Sequence, residues 1–189
     1  REEPGILLRR YRQGHAEIDG YAEDYACLVF GLLELFQADP DPAWLEWAET
    51  LQRRQDELFW DGEGGGWFST SGEDPHVLLR LKDSYDGAEP AATSVSALNL
   101  LTLSGLVESG VWRDRLDATL RAFAPHLETA GRAVPLMAAA LSAYHAAPLQ
   151  IVVVGASGGS LERALLTTYL PHATILVLTD AQQAALSPR

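Results

Sequence analysis

Between Ala22 and Phe36 the apolar residues Tyr25, Leu28, Val29, Leu32, Leu33 and Phe36 recur at intervals of three and four, which predicts a helix. Ala26, Cys27, Phe30 and Gly31 leave little polar surface on its other side, so it is expected to be buried nearly all round. The next helix has a clear start. Asp41 can accept from free amides, Pro42 suits a first turn, and Trp44, Leu45, Ala48, Leu51 and Leu58 follow as one stripe, opposite a solvated face of Glu46, Glu49, Arg53 and Glu57. The alternation repeats further on. Ser94 to Val107 is apolar on most sides, Trp112 to Phe123 is amphipathic, and Ala133 to Tyr144 is small and apolar throughout. Buried and half-exposed helices in alternation predict helical hairpins packed in two layers.

Past Pro148 the pattern changes to a strand over Ile151 to Val154, a turn over Gly155 to Gly159, a short helix over Leu161 to Tyr169 and a second strand over Thr174 to Leu178. Two strands make no stable sheet alone, so this unit must dock on the helices or on polypeptide outside the chain. The expected division is therefore a helical part over 1–147 and a β-α-β extension over 148–189.

The stretch DGEGGGWFSTSGEDPHVLLRLKDSYDGAEP, Asp61 to Pro90, interrupts the helices. Val77, Leu79 and Leu81 alternate with Leu78, Arg80 and Lys82, and Trp67 to Thr70 offers a partner, which predicts an inserted β-hairpin over 64–83. Gly64, Gly65 and Gly66 would let the chain turn tightly before Trp67. Beyond the hairpin come Asp83, Asp86 and Glu89. With Arg80 and Lys82 these carboxylates could hold a polyhydroxylated ligand, Trp67 or Tyr85 stacking on its apolar face, and a raised-pKa acid beside an ionised carboxylate is the pairing that glycoside chemistry uses. The same charges could instead pair with one another and cap the helix starting near Ala91. Asp24 and Tyr25, at the mouth of the first helix, face either solvent or the interior.

Composition removes several function classes. Lys plus Arg total 14 against 26 Asp plus Glu, and a net charge of -12 repels phosphate backbones and anionic lipid, so neither nucleic acid nor membrane is an expected partner. The apolar runs near Ala26 to Leu33 and Gln150 to Val154 fall short of the roughly 20 residues of a membrane span, and no signal-peptide pattern opens the sequence. A cytoplasmic location is the expectation. Cys27 is the single cysteine; it has no histidine in a catalytic pattern beside it and is expected to be a buried, inert thiol. His15, His76, His126, His145 and His172 show no ligand spacing, so no metal and no cofactor are expected. GASGGS at 155–160 follows a strand as a phosphate-binding turn would, but it lacks the GxGxxG spacing and the P-loop lysine and reads as a structural turn; Ser157 and Ser160 form no GxSxG elbow.

YAEDYACLVFGLLELF, GGGWFST and LLRLKDSYDGAEPAATSVSALNLLTL, in this order, resemble the carboxy-terminal part of a family of thioredoxin-domain proteins that includes the spermatogenesis-associated thioredoxin-like protein and bacterial relatives. The resemblance runs from about Leu7 to Asp180 and is most specific over Lys82, Asp83 and Asp86 to Pro90, while Ala91-Ala92-Thr93 departs from the family's serine, glycine or asparagine. It implies an amino-terminal thioredoxin-like region followed by an (α/α)6 toroid similar to six-hairpin glycosidases and N-acylglucosamine 2-epimerases. This chain would supply about half of that toroid, with the missing amino-terminal part held as a separate chain or mimicked by self-association, because an open half exposes too much apolar surface. Asp86 and Glu89 become the acid/base candidates of a carbohydrate site, with Asp24, Tyr25, Trp67, Arg80, Lys82, Asp83 and Tyr85 around the ligand. The epimerase branch fits less well, since no histidine occupies the matching motif. The other reading is a non-catalytic scaffold that presents clients to the thioredoxin-like domain.

Overall fold

A computed structural model describes residues 5–73, 77–146, 149–155 and 158–186. The helices expected from the periodicity form. Helices α1 (Ala22–Ala38) and α2 (Pro42–Phe59) make one antiparallel hairpin, α3 (Ala92–Leu106) and α4 (Gly110–Ala130) make a second, and α5 (Pro135–Ala146) follows a single 3-10 turn. α1, α3 and α5 pack in series, with α2 and α4 laid against the outer side of α1 and α3. The arrangement is an arc of helical hairpins, inner and outer, as in part of an (α/α)6 toroid.

Local chemistry explains the helix boundaries. The Asp41 side chain accepts from Ala43 N at 2.9 Å and Pro42 opens α2, as its start signal requires. At α1 the Asp24 carboxylate turns back to accept from Tyr21 N at 2.8 Å, which closes the first turn. The core lies between the layers, where Tyr25, Leu32, Phe36, Leu51, Phe59, Leu100, Leu103, Leu116 and Met137 are fully buried.

Beyond the arc, β3 (Gln150–Val154), α6 (Ser160–Leu166) and β4 (Thr174–Leu178) form the expected β-α-β unit with parallel strands. It docks on the helices. Leu176 and Leu178 of β4 are buried, and Ile175 N donates to the Gln37 side chain of α1 at 3.1 Å. α7 (Asp180–Leu186) closes the described chain and is not evident in the sequence pattern.

Three expectations need correction. Regular antiparallel strands occur at β1 (Leu8–Arg12) and β2 (His15–Asp19), not in the interruption between α2 and α3. Gln13 and Gly14, both at positive φ, turn this first hairpin. The stretch expected as a hairpin over 64–83 does double back, but through isolated bonds: Phe68 N to Phe59 O and Ser69 N to Leu81 O, both 2.8 Å. Leu78, Leu79 and Leu81 are exposed, and Arg80 and Lys82 turn inward instead to reach backbone carbonyls, which removes the apolar side that a ladder would bury. His76 lies outside the described residues. The third correction concerns α1, which is not buried all round: Cys27, Phe30 and Glu34 form an exposed stripe along it, so Cys27 is an exposed thiol. Desolvation on the helix surface, then the carboxylates of Glu23, Asp24 and Glu89, push that thiol up and make it less reactive.

The glycine run has a specific steric reason. Gly65 adopts φ +70°, and a Cβ placed on it would lie 2.8 Å from Ala118 O of α4. The loop therefore threads against helix backbone where no side chain fits. Gly65→Ala is expected to destabilise the fold by about 2 kcal/mol or more, because the residue must bear both the left-handed conformation and the contact; a urea melt with an unshifted midpoint would refute this.

Candidate functional site

The rim loop between α2 and α3 carries most of the charged residues singled out in the sequence, and their partners can be followed one by one. Arg80 donates through Nε to Thr70 O and through Nη2 to Leu58 O, both at 2.9 Å, and its guanidinium lies 4.2 Å from the Phe68 ring centre. Lys82 Nζ lies 5.2 Å from the same ring centre and reaches both Gly65 O and Asp61 Oδ2 at 2.6 Å. These cations hold the loop closed.

Asp61, which the sequence reading passed over, is the counter-charge. Its carboxylate also accepts from the Glu63 and Gly64 amides at 3.0 Å. Lys82 first, then the Gly64 amide, holds its pKa down at about 2. A depressed carboxyl pKa stabilises the closed loop above the ordinary carboxylate range, and that contribution is lost as pH falls from about 4 toward about 2. In a carboxyl NMR titration, Lys82→Met is expected to return Asp61 toward the ordinary value of about 3.9. Global stability should change little, since the pair is partly solvated.

Trp67 is driven inward by the glycine turn and is 1% exposed. Its backbone N–H donates to Thr93 Oγ1 at 3.3 Å, and its indole Nε1 donates to Asp56 Oδ1 at 3.0 Å. Tyr25 is equally buried; its hydroxyl accepts from Leu7 N at 3.1 Å, and burial pushes its pKa up. Asp24 closes the first turn of α1 and lies 3.8 Å from Arg9 Nε.

Asp86 is buried at the junction of two helices. Oδ1 accepts from Ala91 N at 2.9 Å at the start of α3, and Oδ2 accepts from Leu136 N at 2.8 Å and Met137 N at 3.4 Å in the first turn of α5. One carboxylate caps two inner helices. Asp83, Tyr85 and Glu89 remain at the surface, where Asp83 Oδ2 accepts from Ser69 Oγ at 3.0 Å and Tyr85 is 65% exposed. The structure thus places the candidates in one loop and around the head of α3, but turns Trp67 and Asp86 inward and leaves Glu89 outside.

Farther along the inner helices, away from these residues, Phe30 and Glu34 of α1, Leu98 and Thr102 of α3, and Ala139 and Ala143 of α5 line an open cleft of about 450 Å³ together with Tyr169, His172 and Thr174, and none of the candidate site residues lines it. No group of three or more His, Cys, Asp or Glu side chains among the described residues is placed to hold a metal ion. No described helix is long and apolar enough to cross a membrane.

The chain is 42% identical over 175 residues to spermatogenesis-associated protein 20 of Homo sapiens and 43% identical over 175 residues to that of Rattus norvegicus, each match covering 90% of this chain. It belongs to the spermatogenesis-associated protein 20 family. A more distant member, an uncharacterized protein of Caenorhabditis elegans, is 35% identical over 143 residues. No family model matches the chain. The chain spans about a fifth of the length of the relatives it matches, 22% of the human protein.

One functional group escaped the sequence reading altogether. Asp56 of α2 takes four donors: Gln52 and the Trp67 indole on one oxygen, the Trp112 indole and Arg115 on the other. Its position among the residues expected to be solvated at the end of α2 gave no signal; the spacing of Gln52 and Asp56 by four is the only local hint that they meet.

Proposed function

We propose that this chain is an arc of the toroid of a thioredoxin-domain protein, closing on the remaining helical hairpins of that protein and serving as a non-catalytic scaffold that presents clients to the thioredoxin-like domain. The observation that carries this reading is the fate of the rim charges. Arg80, Lys82, Asp86 and Asp24 are taken up by backbone carbonyls and amides and, for Lys82 and Asp24, by Asp61 and Arg9, which is the arrangement of a lock and leaves few free groups for chemistry. The exposed stripe of Cys27 and Phe30, beside Leu98 of the neighbouring inner helix, supports closure by further helices, since α1 and α3 have the composition of helices covered on every side.

A carbohydrate-handling site is the second reading, and Glu89 favours it. It is exposed, close enough to Cys27 to bear on that thiol, and so stands near the open side of α1, with Tyr85 exposed four residues before it. In that reading Glu89 is the acid and Tyr85 the stacking ring; Asp86 would have to surrender its caps to act as the partner carboxylate. The deciding experiment is calorimetric titration of the intact protein with oligosaccharides, wild type and Glu89→Gln in parallel. The scaffold reading expects no saccharide binding in either. Saccharide binding that is lost in Glu89→Gln would replace it with the carbohydrate reading.

A further inference from the structure

Besides the 450 Å³ cleft, the seam between the helical arc and the β-α-β unit holds two further concavities that the rim loop does not touch. The first, about 260 Å³, is walled by Phe36, Leu45, Leu106, Val152, Leu176 and Leu186 and carries no charged side chain among the described residues. The second, about 590 Å³, is walled in part by Ser104, Arg113, Tyr144 and Thr174. Gly105, Gln150 and Thr174 line both, so the two meet along one edge. Gln150 marks the junction: its amide donates to Gly105 O, and a Cβ on Gly105 would lie within 2.5 Å of that amide. The close crossing depends on glycine.

We propose that this seam binds a small amphipathic carboxylate, its apolar part in the first concavity and its charged end at Arg113 in the second. Three observations support that chemistry. In a chain with 26 acidic and 14 basic residues, the one charged side chain lining either concavity among the described residues is an arginine, and no described carboxylate lines them. Arg113 forms no ion pair among the described residues, although Asp117 stands one helical turn away on α4. An apolar cavity of roughly 150 Å³ holds a benzene ring, so 260 Å³ has room for a short alkyl chain or an aryl group. A planar guanidinium is suited to a carboxylate by geometry as well as charge.

The test is calorimetric titration of the intact protein with octanoate, octan-1-ol and acetate. Octanoate should bind at least about tenfold more tightly than either control, since the alcohol lacks the charge and acetate lacks the chain. Arg113→Gln should bring octanoate down to the level of octan-1-ol, whereas Val152→Trp, which fills the apolar slot from an exposed position on β3, should weaken both. Both variants lie at the surface and are checked for folding by their melting curves. Equal binding of octanoate and octan-1-ol, octanoate binding unchanged in Arg113→Gln, or no octanoate binding at about millimolar concentration would each overturn the proposal.

Discussion

Asp86→Ala is expected to lower the stability of the protein by about 3 kcal/mol, because it uncaps two helices at once. The carboxylate serves Ala91 N with one oxygen and Leu136 N and Met137 N with the other, and the Asp86 amide itself donates to Ala133 O at 2.7 Å just ahead of α5. A single helix cap contributes about 1 kcal/mol, and a buried amide left without an acceptor costs about as much again. Asp86→Asn keeps one acceptor oxygen and can satisfy one helix but not both, so it should lose about half as much. In urea the midpoint should fall with the slope unchanged, since the surface exposed on unfolding is the same. Alanine at this position with an unshifted midpoint would mean that the double cap contributes nothing. Loss of a measurable turnover at unchanged stability would restore Asp86 as an acid/base group.

The same residue illustrates what the sequence could and could not disclose. The knot of Asp83, Asp86 and Glu89 ahead of α3 was legible as either a ligand site or a set of caps, and for Asp86 the geometry is that of a cap. That it also reaches α5 was hidden, because Leu136 is 50 residues away and helix-to-helix proximity is set by the packing of the arc. The helices themselves were legible from period and capping residues. The β1-β2 hairpin was not, since nearly every residue in both strands is exposed and the pattern has no buried side to alternate with. In the rim loop alternation misled for the opposite reason. Val77 to Lys82 alternates in character, but the carbonyls left open by the glycine turn and the end of α2 draw Arg80 and Lys82 inside, and the leucines face out. Cys27 was misplaced because an all-apolar helix is written for neighbours on every side, and among the described residues α1 has none over the stripe of Cys27, Phe30 and Glu34.

Asp56→Ala should be the most damaging single substitution in the outer layer, with a loss of about 3–5 kcal/mol and a fall in melting temperature of roughly 10 °C. Its side chain is 2% exposed and joins three elements at one buried point: α2 through Gln52 at 3.0 Å, the rim loop through the Trp67 indole at 3.0 Å, and α4 through the Trp112 indole at 3.2 Å and Arg115. Burial pushes the carboxyl of Asp56 up, against the pull of Arg115, Trp67, Gln52 and Trp112, so the charge is held at a cost in desolvation that its donors must offset. Removing the carboxylate strands all four donors. Removing Arg115 alone leaves a carboxylate that still accepts from two indoles and an amide, and Arg115→Met should therefore cost about 1–2 kcal/mol, far less than Asp56→Ala. The double variant separates the ion pair from the rest of the network: if Asp56 acts mainly through its neutral N–H donors, Arg115→Met on top of Asp56→Ala should add little or recover stability, because the guanidinium no longer faces an empty site. Full additivity of the two losses in a thermal melt would show instead that Asp56 and Arg115 act independently, and the single-junction account of the outer layer would fail.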